Sequence, residues 1–336
     1  MLQELERVLL AKWEEFGNPG KKPEQFLYLL STGQYRHSKA VLHVLPRDQK
    51  THTLIVKIQK GDGQLPFLAN EYMRLKALHS QGSLRELRPS IPRPLYFGRI
   101  ADHLLLIETY MPGVPFAKHS RRREPGLFCE VATWLDAFHS RTAPVTVCLT
   151  EEEIGAYFVH PLEMALPAIQ GRPSVLRFLD RFRRRVEDLA GARLPLVFSH
   201  NDLSLNNVRF QGDRIAVIDW EFSGYPNLPM FDLLNVYLFF AMAWKRLSYT
   251  ECFRLAFSPD NELSRLLRSC VRDYVRELGV PPSVLPVLVV QYLISRILLL
   301  RSIGSAGGAE ETLWCLQAIA EGHVDLETWE DIRSGG

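Results

Sequence analysis

The amino-acid sequence changes its periodicity once, near residue 110, and that change limits the architectures open to it. Before it lie short runs of β character, EQFLYLL (24–30), KAVLHVLP (39–46) and THTLIVKIQ (51–59), separated by polar turn segments. Runs this close together favour an antiparallel meander. A helical pattern follows in LANEYMRLKALHS, where Leu68, Tyr72, Leu75 and Leu78 recur at helical spacing. RPLYFGRI and HLLLIETY supply two further strands after the proline-rich turn SIPRP. Beyond MPGVP the texture is helical, in LFCEVATWLDAFHS, in VLRFLDRFRRRVEDL and in almost everything after residue 230. One compact strand–loop–strand insert, LVFSHNDLSLNNVRFQGDRIAVIDWE, interrupts those helices. The expected fold is therefore α+β, with a small antiparallel sheet and one key helix in residues 1–110 and a larger, mostly helical part in residues 111–336.

A chain of 336 residues exceeds what one small core needs, and its 46% apolar and 23% charged residues are those of a folded protein. The net charge of +2 argues against a nucleic-acid partner. Residues 1–110 carry 16 Lys and Arg against 11 Asp and Glu, the remainder 24 against 27, a division that fits an anionic ligand. Five cysteines without a C-x-x-C pair read as reduced thiols, so a cytoplasmic location is expected. The acidic amphipathic start MLQELERVLLAKWEEF is unlike a secretory leader. The two most apolar stretches, 233–244 and 284–300, are interrupted by Asn235, Gln291 and Arg296 and read as buried helices, so no membrane partner is expected.

The residues that carry chemistry follow apolar, strand-like runs: His200-Asn201-Asp202, then Asn207, then Ile218-Asp219-Trp220-Glu221. Polar groups at strand ends sit at a rigid edge that a ligand can reach. Phosphoryl transfer needs a carboxylate near the attacking hydroxyl and oxygen ligands for the Mg2+ that accompanies the phosphates. Asp202 suits the first need. Asn207 and Asp219 suit the second, because Mg2+ prefers hard oxygen donors.

HNDLSLNN followed by VIDWEFSGYPNLPMFDL resembles the signature of the aminoglycoside/choline phosphotransferases, relatives of the protein kinases. The resemblance implies a two-lobed, protein-kinase-like fold with Asp202 as catalytic base, Asn207 and Asp219 as magnesium ligands, and His200 and Asp232 as architectural supports. It further implies a third-strand lysine on the α- and β-phosphates and a helix glutamate to hold it, which Lys57 and Glu71 match in order. Lys57 stands in the apolar run LIVKI, where an unpaired ammonium would be costly and a carboxylate partner would offset the cost. ETYMPG is similar to the linker whose backbone, at Glu108, Tyr110 and Met111, pairs with the nucleotide base. The loop STGQYRHSK has the single glycine Gly33. Its backbone amides can cradle phosphate, with Arg36 or Lys39 adding charge, and it reads equally as an ordinary hairpin turn. Asp136 and His139 are read as structural.

The implied cofactors are ATP, or GTP, with Mg2+, and the implied partner is a small-molecule hydroxyl acceptor. Acidic residues between 310 and 336 suit a cationic acceptor such as an aminoglycoside or choline, but describe a solvated helix face equally well. Arg121 to Arg123, Arg181 and Arg183 to Arg185 suit an anionic acceptor or, again, exposed faces. Tyr157, Phe158, Trp220 and Tyr225 can stack on a sugar or fill a core. The alternative function is a nucleotide-binding pseudokinase without turnover. A protein kinase is disfavoured because D-F-G and A-P-E elements are missing.

Overall fold

The structure, a computed structural model, describes residues 1–17, 22–32, 39–48, 53–59, 67–119, 125–143 and 145–329. Its contacts divide the chain into two compact units, Met1–Val114 with Asn207–Ser223, and Pro115–Asn206 with Gly224–Gly336.

The first unit opens with helix α1 (Leu2–Ala11) and is built on strands β1 (Phe26–Thr32), β2 (Ala40–Pro46), β3 (Leu54–Ile58), β4 (Pro94–Ile100) and β5 (His103–Thr109). They form one antiparallel sheet in the order β1-β2-β3-β5-β4. Because successive side chains alternate between faces, each strand contributes to two environments. One face is a core in which Phe26, Leu42, Val44, Leu54, Val56, Leu105 and Ile107 pack with Leu5, Leu9, Trp13 and Phe16 of the N-terminal segment. Each such side chain contributes about 1.5–3 kcal/mol by leaving water. The amphipathic start is thus a structural part of this unit. The other face presents Ser31, Val41, His43, Ile55, Lys57 and Glu108.

Helix α2 (Phe67–Ser80) buries Leu68, Glu71, Leu75 and Leu78, and its Tyr72 stacks on Phe97 of β4 at 5.2 Å between ring centroids. The hairpin Val208–Gln211 and Arg214–Val217 also belongs to this unit. The sequence-based division left it with the C-terminal part, because a boundary drawn at one point cannot return a later segment to an earlier unit. Contact with the hairpin explains Gly113, whose φ is +121° and where a Cβ would lie 2.6 Å from the Phe210 carbonyl oxygen. Arg209 donates to that glycine's own carbonyl at 3.2 Å.

The second unit is mainly helical and includes α3 (Pro125–Thr142), α4 (Phe231–Lys245), α5 (Glu262–Leu278) and α6 (Leu285–Ser302). Strand Arg193–Ser199 lies between Val145–Cys148 and Gly224–Asn227, antiparallel to both. Stacked Phe116, Phe128 and Phe240 form part of the core. Among the described residues one helical stretch, Pro282–Ser302, is long and apolar enough to cross a membrane by length and composition, and 72% of its apolar window is buried inside the protein. It is a core helix, as the interrupted apolar pattern predicts.

Candidate active site

Lys57 projects from β3 among apolar neighbours, is 4% exposed, and lies within ion-pair distance of three carboxylates, of which Asp219, at 3.7 Å, is the most distant. Its ammonium pairs with Glu71 of α2 and stands 2.9 Å from Glu108 Oε1 of β5. The register explains the second contact. Ile55 is paired with Glu108 and Lys57 with Leu106, so Glu108 is the diagonal neighbour of Lys57 on one face. Burial works against the charge on Lys57, but Glu108 and Glu71 more than restore it, and its pKa is raised. Burial pushes the Glu108 carboxyl up to about 7 despite the opposing effect of Lys57. The sequence reading gave Glu108 a backbone role and took its side chain to be uninformative. The side chain is instead buried in an ion-paired cluster.

Glu71 also fixes the hairpin. Its Oε1 accepts the backbone N–H of Trp220 at 2.9 Å, while the Trp220 indole donates to the Val217 carbonyl at 2.9 Å and Ser223 Oγ donates to the Trp220 carbonyl at 2.6 Å. Asp219 is thereby held between Ile218 and a clamped residue, with φ at +72°, a left-handed conformation that few non-glycine residues adopt. Asn207 lies at the other foot of the hairpin, buried, and its carbonyl accepts the Ile218 N–H at 2.9 Å. Strained backbone of this kind persists where surrounding contacts over-determine it.

One member of the cluster, Glu221, escaped the site assignment made from sequence, and another, Lys39, was read there only as added charge beside a phosphate-cradling loop. Lys39, the residue before β2, donates to Asp219, lies 2.9 Å from Glu221 Oε2 and is 3.6 Å from Glu71 Oε2. Burial disfavours its charge, but Asp219, Glu71 and Glu221 outweigh that and raise its pKa. Burial and then Asp219 raise the pKa of Glu221, which Lys39 opposes. The signal for Glu221 was its place two residues after Asp219. For Lys39 it was the period-two series with Val41 and His43.

Lys39, Lys57, Glu108, Tyr110, Met111 and Asp219 line one cavity of about 190 Å³. Val41, Ile55, Met111 and Ile218 give it apolar walls. Oxygens of Glu71, Asp219 and Glu221 all lie within 4.8 Å of one another, and Glu71 Oε2 and Glu108 Oε2 are buried without a hydrogen bond. Hard oxygen donors at this spacing fit a divalent metal. Gly33 and the rest of residues 33–38 lie outside the described residues.

Asp202, His200 and Asp232 belong to the second unit and have a scaffold of their own. The Asp232 carboxylate, fully buried, accepts the backbone N–H groups of His200 at 2.6 Å and Asn201 at 2.8 Å. His139 Nε2 stands 3.3 Å from Asp232, and its Nδ1 is 2.6 Å from the Tyr274 hydroxyl. The backbone N–H of Asp202 donates to His200 Nδ1 at 3.3 Å. Asn235 of α4 donates to the Leu203 carbonyl at 3.0 Å and accepts from Arg296 of α6. Arg296, seen in the sequence only as an interruption of an apolar run, is therefore a buried brace of the segment around Asp202.

Other expectations meet plain obstacles. Trp220 and Phe158 are fully buried and cannot stack on a ligand. Glu310 pairs with Arg172 and Glu327 with Arg185, so these acids serve ion pairs within the second unit. Arg121 to Arg123 lie outside the described residues.

The fold is kinase-like. It is similar to a thermostable mutant of aminoglycoside phosphotransferase APH(4)-Ia in ternary complex with ADP and hygromycin B, with TM-score 0.57 and 16% identity over 95% of this chain and 98% of that one. Similar too are amicoumacin kinase hAmiN in complex with AMP-PNP, Ca2+ and Ami (0.53, 14%, 96% and 96%) and glucosamine kinase with glucosamine, ADP and inorganic phosphate (0.52, 14%, 88% and 82%). No curated protein matches the sequence. The profile of the phosphotransferase enzyme family matches residues 38–262, and the chain belongs to that family.

Proposed function

We propose that the protein transfers the γ-phosphate of ATP, with GTP as the other candidate donor, to a hydroxyl group of a small molecule. The observation that carries this reading is the buried Lys57, held between Glu71 and Glu108 at the wall of a cavity that Asp219 also lines. A solvated strand lysine would not need two buried counter-ions.

In this reading backbone groups at Tyr110 and Met111 pair with the base, whose faces are covered by Val41, Ile55 and Ile218. Lys57 meets the α- and β-phosphates, and Asn207 and Asp219 hold Mg2+. The metal supplies neutralisation of charge on the phosphates. Asp202 accepts the acceptor's hydroxyl proton as that oxygen bonds to the γ-phosphorus and the bond to the β-phosphate oxygen breaks. Positioning and charge stabilisation supply most of the rate. His200 and Asp232 hold Asp202 in place.

For the acceptor we favour an amino sugar, an aminoglycoside or a choline-like amino alcohol. The reading is supported by family membership and by proteins of similar fold solved with hygromycin B and with glucosamine. A cytoplasmic location accords with five free cysteines.

The test is nucleotide consumption across a panel of such acceptors. Acceptor-dependent turnover that falls at least about a hundredfold in Asp202→Ala is expected. Turnover that survives the substitution overturns the mechanism. Nucleotide binding with no turnover on any acceptor favours the pseudokinase.

A further inference from the structure

Six charged groups of the first unit form one ion-paired cluster: the carboxylates of Glu71, Glu108, Asp219 and Glu221 and the ammonium groups of Lys39 and Lys57. With all carboxylates ionised it carries two negative charges in excess, the amount one divalent cation neutralises. Lys57 sits between Glu71 and Glu108 and 3.7 Å from Asp219 Oδ1, whereas Lys39 reaches into the cradle of Glu71, Asp219 and Glu221, whose oxygens lie close enough together to hold a metal. This cradle shares Asp219 with the proposed magnesium pair Asn207 and Asp219. Its side chain is 12% exposed there. An ammonium and a dication cannot share that cradle, because like charges about 4 Å apart repel by several kcal/mol in a partly buried site.

We propose that Lys39 is an internal cation that occupies the metal cradle of the nucleotide-free protein and makes divalent-metal binding conditional on nucleotide. The inference rests on the kinase reading of the site. Metal arriving alone must expel Lys39 from three carboxylates, and an ammonium left unpaired in a largely buried place is costly. Metal arriving with nucleotide brings replacement anions. Lys39 lies on the same strand face as Val41 and His43, so its ammonium stays within the cavity and transfers to the phosphates. Metal and nucleotide then strengthen each other's binding by the same factor. Lys39 is a positioning and phosphate-binding residue in this scheme, distinct from the strand lysine Lys57.

The experiment is a Mn2+ titration followed by electron paramagnetic resonance, with Mn2+ alone and with Mn2+ plus AMP-PNP. It compares the intact chain, Lys39→Met, and the double variant Lys39→Met with Glu221→Gln, which removes one charge of each sign. The intact chain is expected to bind Mn2+ at least about tenfold more tightly with AMP-PNP than without it. Lys39→Met should bind Mn2+ alone at least about tenfold more tightly than the intact chain, with the nucleotide dependence reduced. Should Lys39→Met unfold in chelator, recovery of its structure on adding Mn2+ supports the proposal. If it stays unfolded with metal, the double variant carries the comparison, again with tighter binding of Mn2+ alone expected. Equal affinity for Mn2+ alone in the intact chain and the folded variant overturns it, as does tight Mn2+ binding by the intact chain without nucleotide. No acceptor and no turnover enter the titration, so its failure is distinct from failure of the phosphotransfer reading.

Discussion

At the scale of single residues, two carboxyls, the buried Glu108 and the partly buried Asp136, are both raised chiefly by burial but have different neighbours. Glu108 is raised by burial and restrained by Lys57, and it lines the cavity of the first unit. Asp136 of α3 is raised to about 7 by burial and then by Asp273 and Glu277 of α5, with Arg276 opposing, and its Oδ1 has no hydrogen-bond partner. Its folded pKa lies above the usual carboxylate value, so the folded chain keeps a proton that the unfolded chain loses. Stability therefore falls as pH rises from about 4 to about 7 and is level with respect to this group above that. Asp136→Asn should be more stable than the parent at pH 8 and close to it at about pH 4, as read from urea midpoints. A constant difference at both pH values contradicts the assignment. The residues legible in the sequence are those whose chemistry travels with a local pattern, such as Lys57 inside LIVKI and Asp219 after IAVI. Partners that depend on strand register, such as Glu108 beside Lys57, are not written locally. One step of register would have turned that carboxylate away.

At the scale of elements, Asp232 shows how a helix start holds the segment proposed to carry the catalytic base. It stands in the first turn of α4, where a carboxylate is favoured, and it caps two backbone N–H groups of residues 200 and 201. Asp232→Ala strands both donors and should destabilise the chain by about 3 kcal/mol. It should lower kcat roughly a hundredfold through misplacement of Asp202, while nucleotide affinity changes little, because the cavity-lining residues belong to the first unit. Kinetics paired with nucleotide titration separate the two effects, and a loss confined to nucleotide affinity counts against this role. The strands were legible from their short apolar runs and α2 from its helical spacing of apolar residues. The brace from Arg296 through Asn235 to Leu203 was not, because a lone polar residue in an apolar run reads the same whether it bonds a neighbour or a ligand.

At the scale of the whole molecule, the two units predict where ligand binding will be felt. MgATP should slow amide exchange in β1 to β3, at residues 108–111 and in the 207–221 hairpin, and leave α5 and α6 unchanged. Protection confined to those helices contradicts the placement of the nucleotide. The kinase-like class was visible in the order of elements and motifs. Membership of residues 207–223 in the first unit was not, since only long-range contacts record it. That interleaving bears on how the protein can be dissected. A fragment ending at Val114 would contain both lysines of the ion-paired cluster but only two of its four acids, and Glu71 would lose the Trp220 amide that it accepts. Splitting or minimising the molecule therefore calls for grafting the hairpin onto the N-terminal piece, or for two-fragment complementation, rather than for a single truncation.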